Sequence, residues 1–292
     1  MTALFNRDFA LKIGPTPLEI HLPGVPIIED DKPSTTLRVV FDIEKTSSSE
    51  PNQAEVLIYN LNETHRKLLQ QFAGKPAQFF PLSIEAGYMG TRELIFMGDI
   101  LNADSYREGV SWLTKINASD GGNKYVSKRL NKTFAKGTLL ITLLMSVIAA
   151  SGLGAGNSAI LAASPRGFTV FQKAVTVDGR ISDILDKYVA SAGFQWSIQN
   201  GQIQIREPMK ATGEPVVLLN QYFGLIGTPE VGEKGKINFT SLLQGSIRPG
   251  RRTMIESLSA NGLFVVESAR YSGDTWGGDW YVQADAVPEK LV

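Results

Sequence analysis

Paired acids come first among the residues whose types and spacing could do chemistry. Glu85 with Asp99, and Asp274 with Asp279, are the candidate pairs. A glycosidase needs two such carboxylates across the scissile bond, one of them kept protonated by its surroundings. These acids stand at strand ends and glycine-rich turns, where acids ordinarily form turns. The pairs therefore predict turns rather than a hydrolytic centre. Gly152-Leu153-Gly154-Ala155-Gly156 has the look of a phosphate-binding loop. That fingerprint needs a strand before it and a helix after it, and here a helical pattern precedes it. A flexible linker is expected instead, with Gly152–Ser158 the first segment to be cut by a protease. There is no cysteine, and His21 and His65 are the only histidines. Disulfides, thiolate nucleophiles and Cys-ligated zinc are thereby excluded. His65 falls on an apolar helical stripe and His21 on a strand, so neither is placed for a Ser-His-Asp site. No residue is assigned a catalytic, cofactor-binding or metal-binding role.

Contact chemistry has better candidates. Arg248-Pro249-Gly250-Arg251-Arg252 is a short basic cluster, read as a solvated turn or a protein interface. Trp276 lies between Gly273-Asp274 and Gly277-Gly278, and it is the tryptophan expected to be exposed. Trp112, Trp196 and Trp280 are expected to anchor cores. The candidate interface residues are thus Trp276, Arg248, Arg251 and Arg252. Lys plus Arg and Asp plus Glu are 29 each in 292 residues, a formal net charge of zero. A protein that grips nucleic acid usually shows a basic excess.

The elements that must position these residues are organised around 37–72. Val39, Phe41 and Ile43 alternate with polar neighbours, the period of a half-buried strand. Thr46–Asn52 is a polar turn, and Ala54–Tyr59 a second strand. The period then lengthens to 3.6. Asn60, with Glu63 three residues on, predicts a capped helix with Leu61, His65, Leu68, Leu69 and Phe72 on its apolar face and Gly74 at its end. Strands are expected at Phe9–Ile13, Leu18–Leu22, Leu82–Ala86, Leu94–Met97 (ending at Gly98-Asp99) and Val110–Ala118. Ser119–Asn123 is a break. Thr138 is the expected cap of a helix over Leu139–Ser151, and Asp178 or Ser182 opens another that ends at Gly193. Phe194, Trp196 and Ile198 face Ile203 and Ile205 across Asn200-Gly201, a strong hairpin signal. From Pro208 strands return at Val216–Leu219, Ile237–Leu243, Met254–Leu258, Leu263–Tyr271 and Trp280–Val287. The period changes divide the chain into 1–118, 119–207 and 208–292. The apolar run Leu139–Ala150 is shorter than the roughly 20 residues a bilayer span needs, so a protein that stays soluble until it meets a partner is expected. A short echo, "FMGDI" against "YSGDT", each before a Trp-led strand, hints that the two β segments are related.

Several strings carry a resemblance. "FDIEKTSSSEPNQAEVLIYNLN", "FGLIGTPE", "SLLQGSIRPGRRTMIES" and "GLFVVESARYSGDTWGGDW" occur in order over most of the chain. Together they resemble the baseplate hub or tail-tip hub proteins of phage tails. The resemblance implies an α+β, mainly β fold, with two tube-like antiparallel β-barrels flanking a small α/β domain. It implies a homotrimeric ring that joins the tail tube protein to the central spike or tip protein among other baseplate proteins. DNA would pass through the lumen without specific binding. The virion tail baseplate, assembled in the host cytoplasm, is the implied location. Strand edges near Leu94–Met97 and Leu263–Tyr271 would then be covered by neighbouring subunits. The family shares no catalytic residues, and any spike or lysozyme is expected on a separate chain. The alternatives are a tail-associated peptidoglycan-degrading enzyme and a host-surface-binding tail module.

Overall fold

A computed structural model describes residues 6–14, 18–21, 37–72, 80–121 and 128–290. The first segment gives β1 (Arg7–Ile13), β2 (Leu18–His21), β3 (Val39–Thr46), β4 (Gln53–Tyr59), α1 (Glu63–Phe72), β5 (Phe80–Tyr88), β6 (Glu93–Glu108) and β7 (Ser111–Ser119). The last gives β12 (Val217–Leu219), β13 (Leu225–Val231), β14 (Ile237–Leu242), β15 (Arg252–Glu256), β16 (Asn261–Asp274) and β17 (Trp280–Pro288). The alternation read from sequence holds in β3 and β4, where Val39, Phe41, Ile43, Ala54, Val56 and Ile58 are all buried. The cap of α1 is Asn62, not Asn60: the Asn62 Oδ1 accepts from the His65 amide at 2.8 Å. Asn60 sits at φ 56° and accepts instead from the Trp112 amide at 3.0 Å. An N-cap needs extended backbone, which a left-handed residue does not offer. Gly74 and the side chains of His21 and Phe72 lie outside the described residues. Gly98-Asp99 does not end β6, which continues to Glu108. Gly98 is needed because a Cβ there would overlap the Ser119 carbonyl.

The thirteen strands form one sheet, in the order β13-β14-β17-β16-β3-β4-β7-β6-β5-β1-β2, with β15 on β16 and β12 on β15. The splice is β16. One edge of it pairs with β15 from Asn261 to Val265 and with β3 from Ser268 to Asp274. Its other edge pairs with β17, with a bulge between Val266 and Ser268. A bulge bends a strand and raises its twist, and here it falls where the partner changes. The core is shared in the same way. Phe9 stacks on Phe41 at 5.6 Å, and Trp280 meets Phe41 edge-on at 5.6 Å. No closed barrel of the expected tube-like kind is found among the described residues. Among the described residues the sheet does not close on itself, and β3 and β16 weld the two segments. The Leu263–Tyr271 edges are covered by β15, β3 and β17 of the same chain. The echo also dissolves: Asp99 faces Ser119, the end of β7, whereas Gly273 faces Trp280, the start of β17.

Between the two segments sits a separate α/β insert. It holds β8 (Arg129–Phe134), α2 (Leu140–Ser151), a short α3 (Ile160–Ala163), β9 (Val175–Arg180), α4 (Ile181–Ser191), β10 (Gln195–Gln199) and β11 (Gln202–Arg206). The β8–β9 ribbon was not expected from sequence. Its residues alternate poorly, because one face is exposed and much of the other meets only α2 and α4. Thr138 does not cap α2. Its hydroxyl donates to the Ala135 carbonyl at 2.8 Å, and Leu139 precedes the helix without a side-chain cap. Asp178 lies inside β9 and Ser182 inside the first turn of α4. Gly152 and Gly193 end α2 and α4 in the left-handed region, as read. The hairpin also forms as read, with Asn200 at φ 52° and Gly201 at φ 73°, the two positive angles of a type I′ turn. Trp196 is buried among the helices and strands of this insert, and its Nε1 donates to Asp186 at 2.8 Å.

The glycine-rich stretch is the main correction in the insert. It is not a free linker. Gly154 donates to the Gly201 carbonyl and accepts from the Ile203 amide, both at 2.9 Å. Asn157 pairs by its side chain with the backbone of Ile205, donating at 2.7 Å and accepting at 2.6 Å. A Cβ on Gly156 would overlap the Ile203 carbonyl. The glycines let this segment lie along the edge of β11, held by backbone hydrogen bonds although Gly152, Gly154, Ala155 and Gly156 are exposed.

Candidate interfaces and the joint between sheet and insert

Trp276 stands on the turn between β16 and β17 and is 68% exposed. The turn beneath it is braced from three directions. Arg38 meets the Asp274 carboxylate with its Nε at 3.2 Å from both oxygens and its terminal nitrogen at 2.7 Å. Arg7 donates to the carbonyls of Asp274 and Gly278, each at 2.9 Å. Thr275 exchanges hydrogen bonds with Val39 at 2.9 and 3.0 Å. Burial pushes the Asp274 carboxyl up, but Arg38 and the Trp276 amide outweigh it and hold it below its ordinary value. An exposed aromatic on a fixed support loses little entropy on contact, which suits an anchor.

Arg248, Arg251 and Arg252 come together at one turn but are matched within the chain. Arg248 meets Glu214 at 2.7 Å, Arg251 pairs with the same carboxylate, and Arg252 meets Glu289 at 2.5 Å. The two acids lie outside the basic run in sequence, so the string alone could not show this. The acid pairs are apart in function. Glu85 pairs with Arg92 at 3.1 Å. Asp99 faces Pro81, four residues from Glu85 along β5, about 13 Å at strand spacing. Asp274, depressed by Arg38, is the opposite of the raised acid a glycosidase needs. Trp112 does not anchor a core. It is 38% exposed, and the Arg66 guanidinium lies over it at 4.2 Å. An unforeseen apolar surface borders β13, which among the described residues pairs only with β14. Tyr222 and Phe223 stand out from the preceding turn, with Ile226 on the strand and Leu258 fully exposed nearby. Asn220 holds that turn by accepting from the Tyr222 and Phe223 amides. An aromatic pair in an Asn-to-Gly turn was the available signal.

Sequence reasoning also missed the joint where the tip of the β10–β11 hairpin meets the end of the β3–β4 hairpin. Asp120 accepts from the amides of Asn200 and Gly201, both at 2.5 Å. Lys45, on β3 and fully buried, donates to the Asn200 Oδ1 at 2.7 Å. Asn52 donates to the Ile198 carbonyl at 2.6 Å and to Asp120 at 3.3 Å. Gln199 donates to the Thr46 carbonyl and Arg206 to the Ser47 hydroxyl, each at 2.8 Å. Burial lowers Lys45 to about 8, against the pull of Asp120. Burial raises the Asp120 carboxyl despite its donors.

A long, mainly antiparallel sheet with an α/β insert sets the class, a mainly β protein. Known proteins agree. The model of the baseplate hub gp41 family matches residues 25–286, and the chain belongs to that family. No curated protein sequence matches. The fold is similar to the 43 kDa tail protein of prophage MuSo2 from Shewanella oneidensis, with a TM-score of 0.62 at 8% identity over 97% of this chain and 98% of that one. It is similar to a tail protein of Neisseria meningitidis, with a TM-score of 0.59 at 10% identity over 97% and 96%. It is also similar to the E. coli c3393 protein, a type VI secretion component, with a TM-score of 0.54 at 9% identity over 90% and 76%.

Proposed function

We propose that three copies of this chain form a ring that joins the end of the tail tube to the central spike or tip. The carrying observation is the sheet itself: thirteen strands in one ladder, left open at β13, in a chain of the baseplate hub family. An open edge is an association surface, and heterologous contacts close into a ring only at the right rotation. The two β segments then serve as tube-like halves whose closure is completed by neighbouring subunits. Trp276 and the Arg248–Arg252 turn are the proposed contact points, and the role is structural rather than enzymatic. The net charge of zero fits a lumen that DNA crosses without being held. Assembly in the host cytoplasm belongs to the same reading. Particle reconstruction tests it: three copies on the tube axis are expected, and six copies, or a peripheral position, overturn it.

A further inference from the structure

We infer that the joint between insert and sheet is a polar lock that opens as a unit, with Asp120 and Lys45 as its positioning residues. Among the described residues two hydrophobic clusters stay apart, one in the sheet and one in the insert. The hydrogen bonds that cross between the hairpin tips come from Asp120, Lys45, Asn52, Gln199 and Arg206. Each cluster can stay packed when this contact parts. Apolar surfaces slide, but a carboxylate matched oxygen by oxygen to two consecutive amides accepts one pose. The type I′ turn supplies those amides side by side, and its glycine is the residue that tolerates the second positive φ.

Buried ions are expensive, and such pairs select geometry more than they add stability. Both ions here are displaced towards neutrality by burial. Parting the joint returns Lys45 to water, where its ordinary value is 10.5. Between about 8 and 10.5 the open form therefore holds a proton that the closed form has lost, so raising the pH favours closure. Asp120 and Arg248 are the charged groups facing Lys45. The inference stands independently of the hub reading.

Amide exchange on the full chain tests it, read as protection factors at Asn200 and Gly201. In the unaltered protein, protection should rise from pH 8 to 10.5, by up to roughly a hundredfold. Asp120→Ala at pH 7 should lower protection of these two amides at least tenfold, while Val56 in the sheet and Leu185 in the insert keep theirs. Lys45→Met should flatten the pH dependence. Unchanged protection in Asp120→Ala, or loss throughout both cores together, overturns the lock. So does a pH dependence that is absent from the unaltered protein or survives Lys45→Met. The unaltered protein's own pH series decides the matter if either variant fails to fold.

Discussion

Trp196 and Trp276 are the same residue type under opposite constraints. Trp196 fills the insert between α4 and the hairpin, and its ring nitrogen is satisfied by Asp186. Trp196→Ala should cost about 3–5 kcal/mol, read as a fall in the urea midpoint. A loss below about 1 kcal/mol would mean that the indole does not support this core. Trp276 packs on nothing comparable. Trp276→Ala should change stability by less than about 0.5 kcal/mol yet impair incorporation into tails in a complementation assay. Normal incorporation would remove Trp276 from the interface.

The β16–β17 turn is an element whose shape depends on distant charge. Arg38, next to β3, holds Asp274 across 236 residues of sequence. The Asp274 carboxyl is depressed, so its contribution is present above its ordinary unfolded value of 3.8. That contribution is lost as pH falls through the lower folded value. Melting Arg38→Gln beside the unaltered protein should show a difference near pH 7 that narrows in strong acid. The Arg38 side chain is 36% exposed, so salt and solvent keep the effect modest. A gap that is constant with pH would mean that Arg38 acts through its stacking on Tyr59, 4.5 Å away, and not through its charge.

At the scale of the molecule, the weld between β3 and β16 changes how a ring would be built. Two separate barrels would each need to close. One continuous sheet offers fewer free edges, with β13 among them, and covers the Leu263–Tyr271 strand with its own chain. The expected three-copy ring therefore has to use the sheet's ends and turns rather than the middle of β16. The apolar border of β13, with Tyr222, Phe223 and Ile226, is where burial by a neighbour should appear in a particle reconstruction. The same surface left exposed in the assembled tail would count against this geometry.

Local physics was legible in the residues alone. The alternation of β3 and β4, the Asn200-Gly201 hairpin, the glycine ends of α2 and α4 and the exposure of Trp276 all follow from period and backbone preference, which act over a few residues. Trp112 was misplaced because alternation tells which residues share a face but not what covers it, and Arg66 was the cover. The caps of α1 and α2 went astray because a side chain that could cap a helix can equally bond elsewhere. Gly98, Gly154 and Gly156 looked like breaks or linkers, but each marks a close approach that exists only after folding, of backbone at Gly98 and Gly156 and of the Gln202 side chain at Gly154. The choice of β3 as a partner for β16, and the meeting of Asp120 with a turn 80 residues away, depend on long-range pairing. The two-residue period of a strand is indifferent to which edge it meets, so the sequence determined the strands and turns, and the tertiary structure decided their neighbours.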